Sequence, residues 1–302
     1  MVKKIKFIIQ EQKRIDVLIA EYLPELSRSQ ARKLIDNGNV LINNQKVKAS
    51  LMPQISSEVK ITLPLIEDFD ELASKINIEI IYEDESMVAL NKPAGLLVHP
   101  SENNLIEVTL LNIMRQRYPS VIDIGNTNLS GVVHRLDRDT SGVMVFAKNR
   151  LAQNILKDQW KNRETLKIYH AVVKGCPTPN EGIIEAPIGK DPANTGKQAV
   201  VEDGLSAETS YKVIKNYNNK YSLLEVKIKT GRTHQIRVHL AAIGYPIIGD
   251  KLYGVPVDQI QRQALHSKML GVKIPSTDEW KEFTSDLPQD MIELIEYLET
   301  NA

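Results

Sequence analysis

Val133-His134-Arg135-Leu136-Asp137-Arg138-Asp139-Thr140-Ser141-Gly142 sets four charged residues and a histidine between two apolar runs, Gly131-Val132-Val133 before it and Val143-Met144-Val145-Phe146-Ala147 after it. Two buried-strand patterns joined by such a segment predict a polar loop on a rigid scaffold, where catalytic groups commonly sit. The competing reading is a salt-bridged turn in which arginines flank the aspartates. Spacing alone does not choose between them, nor between Asp137 and Asp139 as the residue that matters.

Outward from this loop, strand-like runs fall at Ile78–Tyr82, Met87–Asn91, Val143–Lys148, Ile168–Val173, Tyr211–Lys215 and Leu223–Lys229. Helix-like runs fall at Val108–Tyr118, Leu151–Lys161, His234–Ile243 and Met291–Leu298. Many strands with few intervening helices predict an α+β body, a mixed, largely antiparallel sheet with flanking helices. The run from His234 is expected to be capped by Thr233, to bury Ile236, Leu240 and Ile243, and to stop at Gly244 and Pro246.

The N-terminal 65 residues read as a separate small α/β module. Ile15, Leu18, Ile19, Tyr22 and Leu23 fit one helix face, ended by Pro24. Ser27 is placed to cap a second helix, Gln30 completes a capping box, and Gly38 suits the left-handed position after the last turn. On that helix Arg28 and Arg32 are four apart and share a face with Lys33 alongside. Val40–Val47 predicts a hairpin around Asn43-Asn44 or Asn44-Gln45, and Glu58–Leu63 alternates like a strand. The predicted boundaries are a module over 1–65, an acidic linker over 66–75 and a large body over 76–302.

Composition narrows the function. The chain has 302 residues, with 38 Lys and Arg balancing 38 Asp and Glu. The charge is unevenly spread: residues 1–65 hold eleven basic against six acidic side chains, an excess of five. A basic module on a neutral-to-acidic body fits a polyanion-binding domain joined to an enzyme. No apolar run approaches a membrane span, and the apolar part of the N-terminus is too short for a secretory signal, which predicts a cytoplasmic protein. One cysteine, Cys176, excludes an internal disulfide and a cysteine-rich metal site. His234 and His239 are five apart, on different helix faces, and no His-Glu-x-x-His occurs, so no metal is expected. Ser141 lacks the Gly-x-Ser-x-Gly elbow of a serine hydrolase.

The loop from Val133 to Gly142 resembles the His-Arg-Leu-Asp-x-x-Thr-Ser-Gly signature of the RluA/RluD-type pseudouridine synthases. The resemblance extends, in order, through Asn91–Pro100, Lys167–Gly175, Lys229–Leu240, Gly249–Gly254 and Ala264-Leu265-His266. The first module is similar to the S-four-type RNA-binding domain. The resemblance implies a pseudouridine synthase fold and isomerisation of uridine within RNA, ribosomal RNA ahead of transfer RNA, by a monomer without cofactor. A non-catalytic ribosome assembly factor is the alternative class, and an N-glycosidase that releases the base is a second enzyme reading.

The resemblance also implies roles. Asp137 is the nucleophile, and Tyr169 is the ring that stacks on the flipped uracil. Arg232 is the cation that pairs with Asp137, with Arg237 as the substitute. Arg135 either enters the RNA stack, grips phosphate or is structural, and Leu252 packs beside the base. Arg28, Arg32 and Lys33 contact RNA phosphates.

Overall fold

The computed structural model describes residues 2–23, 26, 28–64, 72–100, 107–123, 129–194 and 196–301. The chain forms two compact units, one of Met1–Asn77 with His99–Arg117, the other of Ile78–Val98 with Tyr118–Ala302.

In the first unit, β1 (Val2–Ile8), β4 (Glu58–Pro64), β2 (Val40–Ile42) and β3 (Gln45–Lys46) form an antiparallel sheet in that order. Helices α1 (Ile15–Tyr22) and α2 (Arg28–Asp36) belong to the same unit, as does α3 (Leu110–Arg117). Ile15, Leu18 and Ile19 of α1 and Ala31, Leu34 and Ile35 of α2 pack in one core with Val40, Ile42, Val59 and Ile61 of the sheet. Asn43 and Asn44 both take positive φ, the conformation that a tight two-residue hairpin requires. Gly38 has φ +75°, as its place after α2 demands. The expected stop at Pro24 and cap at Ser27 lie outside the described residues. β1 was not foreseen, because Val2–Ile8 mixes lysines and isoleucines at an end where alternation is short.

The second unit is built on one nine-stranded sheet. Its strands are β5 (Glu79–Glu83), β6 (Met87–Lys92), β7 (Ser141–Ala147), β8 (Leu166–Lys174), β9 (Glu181–Glu185), β12 (Glu208–Tyr217), β13 (Tyr221–Ile228), β14 (Leu265–Lys273) and β15 (Trp280–Thr284). The order is β5-β6-β7-β14-β8-β13-β12-β9, with β15 sharing an edge of β14 with β7. Only the β7–β14 contact is parallel, so the sheet is mixed and largely antiparallel, as expected. Every residue of β7 is buried, which explains its continuous apolar sequence. Helix α4 (Arg150–Lys161) is capped by Asn149, whose Oδ1 accepts from the Ala152 amide at 2.9 Å. It packs Ala152 and Leu156 with Val143, Val145 and Leu270 of the sheet. Helices α5 (Gln235–Ala242) and α6 (Gln289–Asn301) and a small hairpin of β10 (Ile188–Lys190) and β11 (Gln198–Val200) complete this unit. The strands β9, β10, β11, β14 and β15 were not read from the sequence, because they are short or carry polar residues where alternation would place apolar ones.

Candidate active site

Asp137 lies in the loop that feeds β7. Four anchors hold this loop. Gly142, the second residue of β7, has φ +115°, and a Cβ there would collide with the Ser267 backbone, so only glycine lets β7 and β14 approach. His134 Nε2 accepts the Val145 amide at 3.1 Å, and its ring stacks on Trp160. Burial pushes its pKa down to about 3, so it stays neutral and serves as an acceptor. Lys92, fully buried, donates to the carbonyls of Pro93, Leu96 and Arg138 at 2.8–2.9 Å. Arg262 donates Nη1 to the Asp139 carbonyl at 3.0 Å while its Nε and Nη2 fork onto Asp290 of α6. The charged loop is thus fixed through its main chain, which leaves the Asp137 side chain to be positioned separately.

Arg237 does that positioning. Its Nη1 donates to Asp137 Oδ2 at 2.9 Å, and its Nε and Nη2 donate to the two oxygens of Asp250 at 2.6 and 2.8 Å. Burial works against each charge, but the mutual hydrogen bonds outweigh it: the Asp250 pKa is held below the usual carboxylate value and that of Arg237 is raised. Asp250 Oδ1 also accepts the amides of Leu252 and Tyr253. Asp137 remains part-exposed, and its Oδ1 accepts no hydrogen bond among the described residues.

The expected pairing with Arg232 is corrected. Arg232 donates Nε to the Ser206 carbonyl at 3.0 Å, away from Asp137. The reason is local. Gln235 accepts the Thr230 hydroxyl and the Arg232 amide on Oε1, and donates to the Glu208 carbonyl and the Thr209 hydroxyl. This locks the turn before α5 with Arg232 outside it. His234 then adopts a left-handed φ of +57°, and Arg237, one turn into the helix, is carried inward. Thr233 does not cap α5; His234 occupies the cap position and makes no side-chain cap bond. Ile236 and Leu240 are buried as expected, Ile243 only partly. The sequence did hold a signal for Arg237: it sits between Ile236 and Val238 on a helix buried nearly all round, where an arginine needs a carboxylate.

His234 and Tyr253, not foreseen as site residues, border the same carboxylate. His234 Nδ1 lies 2.9 Å from the Tyr253 hydroxyl, and Nε2 lies 4.0 Å from Asp137 Oδ2. Tyr253 accepts the Gln198 amide of β11 at 2.8 Å, so its own proton is free for His234 Nδ1. With Tyr253 as the donor, His234 carries its proton on Nε2, on the side that borders Asp137 at 4.0 Å. Burial lowers the His234 pKa, with the Asp137 charge acting in the opposite sense.

Tyr169 sits in β8, opposite Ser267 of β14. It is 7% exposed, and burial pushes its phenol well above the ordinary value, so it stays neutral. The Asp137 charge acts on it in the same direction. Arg135 is exposed on the Asp137 loop. Leu252 is 38% exposed, and its carbonyl accepts Lys197 Nζ at 2.8 Å. In the first unit Arg28, Arg32 and Lys33 each have a carboxylate neighbour: Asp16 at 3.3 Å, Asp36 at 3.7 Å and Glu107 at 3.5 Å. No three of His, Cys, Asp and Glu gather in a metal-binding group among the described residues.

Known proteins give the same picture. The RNA pseudouridylate synthase family matches residues 86–242, and the S4 domain matches residues 13–59. The chain is 38% identical to a Bacillus subtilis protein named uncharacterized RNA pseudouridine synthase YlyB, over 97% of this chain and 96% of that one. It is 36% identical to the Pseudomonas aeruginosa ribosomal large subunit pseudouridine synthase D, over 94% and 92%. Among solved structures, human RNA pseudouridylate synthase domain containing 4 shares the fold at a TM-score of 0.61 and 24% identity, covering 78% of this chain and 98% of that one. With the Asp137 loop, the Arg237 fork and the nine-stranded mixed sheet in place, these matches show that the chain belongs to the RNA pseudouridylate synthase family and carries an S4 domain at its N-terminal end.

Proposed function

We propose that this protein isomerises specific uridines of large-subunit ribosomal RNA, with Asp137 as nucleophile and no cofactor. The observation that carries the reading is a part-exposed carboxylate held through one oxygen by a buried arginine, with its other oxygen unbonded among the described residues. The reaction breaks N1–C1′, forms C5–C1′ and moves one proton from C5 to N1, so it balances without oxidant or metal. Asp137 attacks the sugar carbon or the base, or assists elimination to a glycal-type intermediate. Arg237 pairs with the carboxylate and keeps it oriented.

The uridine leaves the RNA stack to reach this site. Tyr169 supplies the ring beneath the uracil, and Leu252 packs at its edge. Arg135 either fills the vacated place or grips phosphate. Arg28, Arg32 and Lys33 exchange their carboxylate neighbours for RNA phosphates, each at least 47% exposed along its side chain. Residues 1–65 form the docking module, 66–75 the linker, and 76–302 carry the catalytic role. Ribosomal RNA is favoured over transfer RNA by relatives named ribosomal large subunit pseudouridine synthase D. The protein acts as a cytoplasmic monomer; no described helix is long and apolar enough to cross a membrane.

The test is tritium release from RNA labelled at uracil C5, with separate ribosomal and transfer RNA. Asp137→Asn is expected to abolish release while leaving RNA binding largely intact. Release by Asp137→Asn would refute the nucleophile, and release from transfer RNA alone would refute the substrate.

A further inference from the structure

The basic surplus of the first unit does not sit where the helix motif suggests. Arg28, Arg32 and Lys33 are each within 4 Å of a carboxylate, and Lys13 and Arg14 are paired as well. Lys4 and Lys46 have no carboxylate within that distance among the described residues, and both are exposed. Alternation starts both from the face of the β1-β4-β2-β3 sheet that points away from α1 and α2, and the Lys46 chain then reaches along the sheet to Gly38, where its Nζ lies 3.0 Å from the Cβ position. Alternation fixes the two faces: Ile5, Phe7, Val59, Ile61, Val40 and Ile42 belong to the helix-side core, and Phe7 stacks on Tyr22 of α1. The residues between them, Lys4, Lys6, Ile8, Glu58, Lys60, Thr62, Leu41 and Lys46, therefore share the outer face.

The register sets these residues in a row. Lys6 pairs Lys60, Lys60 pairs Leu41, and Leu41 pairs Lys46, which spans the sheet from edge to edge. Adjacent strands lie about 4.8 Å apart, so Lys6 and Lys46 bracket roughly 14 Å. Lys4 stands two residues along β1, opposite Thr62. Like charges directly opposite one another destabilise a sheet, and Lys6 faces Lys60. Glu58 answers that one pair, at 3.6 and 3.1 Å. No carboxylate among the described residues lies within 4 Å of Lys4 or Lys46, and the Lys46 Nζ rests beside Gly38. The face carries no aromatic ring, so it lacks the stacking platform that holds unpaired bases. Flexible point charges on a flat surface suit a helical phosphate backbone instead.

We propose that the outer face of this sheet is a second RNA contact, separate from α2, which binds the backbone of double-helical RNA without reading its sequence. The proposal rests on the reading that the substrate is RNA. The experiment compares intact protein with the triple variant Lys4→Gln, Lys6→Gln, Lys46→Gln and with a charge-matched control, Lys157→Gln, Lys161→Gln, Lys220→Gln, in the other unit. Fluorescence anisotropy follows binding to a short mixed-sequence RNA duplex and to one of its single strands, across a KCl series. Thermal melting by circular dichroism checks that each variant is folded.

Each phosphate contact contributes about 0.9 to the slope of log K against log salt, so the sheet variant is expected to lower the duplex slope by about 2–3. The control is expected to stay near the intact protein, and the single strand to respond less than the duplex. Equal slopes for sheet variant and control would overturn the proposal, as would a loss confined to the single strand. Retained RNA binding with lost affinity for phosphatidylserine vesicles would also overturn it, in favour of a membrane surface. Tritium release by the intact protein reads the enzyme assignment separately: no release together with a sheet-dependent duplex slope would refute the activity and leave this face as an RNA contact.

Discussion

Replacing Arg237 with methionine separates stability from catalysis. Arg237 is 5% exposed and bridges two carboxylates: Asp250, 1% exposed, and Asp137, part-exposed. Methionine keeps much of the volume and removes the charge, leaving Asp250 buried with only the Leu252 and Tyr253 amides. Removing one partner of a buried ion pair costs about 3–5 kcal/mol, because the other charge is left uncompensated. At roughly 2–4 °C per kcal/mol for a unit of this size, the melting temperature falls by about 6–20 °C. Adding Asp250→Asn removes the stranded charge while its side-chain oxygen still accepts both amides, so the double variant is expected to recover at least about 2 kcal/mol of the loss. Activity follows a different course: both variants leave Asp137 without its cation and both are expected to lose tritium release at least about 100-fold. The assay is urea unfolding followed by the fluorescence of Trp160 and Trp280, the chain's two tryptophans, alongside single-turnover tritium release. A double variant as unstable as Arg237→Met, or one that regains activity with its stability, would refute this division of roles.

Further expectations concern the same loop and the same pair. Gly142→Ala, at φ +115° against the Ser267 backbone, should cost more than about 2 kcal/mol in urea unfolding and reduce tritium release. Gly231→Ala, with open space around its Cβ position, should stay within about 0.5 kcal/mol of the parent. The folded pKa of Asp250 lies below its ordinary 3.8, so its ionised form stabilises the fold above that pH and the contribution is lost as pH falls through the folded value. The melting-temperature gap between parent and Asp250→Asn should therefore narrow as pH drops below about 3.8, and a constant gap would contradict the assignment. Lys92→Met should leave the carbonyls of Pro93, Leu96 and Arg138 without their shared donor, lowering stability by about 1–3 kcal/mol and slowing turnover through a loosened Asp137 loop.

Local pattern was enough to place many of the parts. Asn43-Asn44 and Gly38 marked their turns because few residues take positive φ, and Val143–Ala147 marked the central strand because a strand buried on both faces is apolar throughout. The polar insert between apolar runs identified the Asp137 loop, and the ordered motifs around it named the family. These features are short-range in the chain, so the sequence by itself determined them. Which arginine meets Asp137 is a different kind of fact. Arg232 and Arg237 are 95 and 100 residues away from it in the chain, and the choice rests on the Gln235 lock, the left-handed turn at His234 and the buried Asp250. The same holds for the lysine row, which exists only because antiparallel register sets Lys6 beside Lys60 and Lys46 across Leu41 from Lys60. Hydrophobic periodicity records which face of an element is buried; it does not record which distant element covers that face, and tertiary packing alone decided where these charges meet.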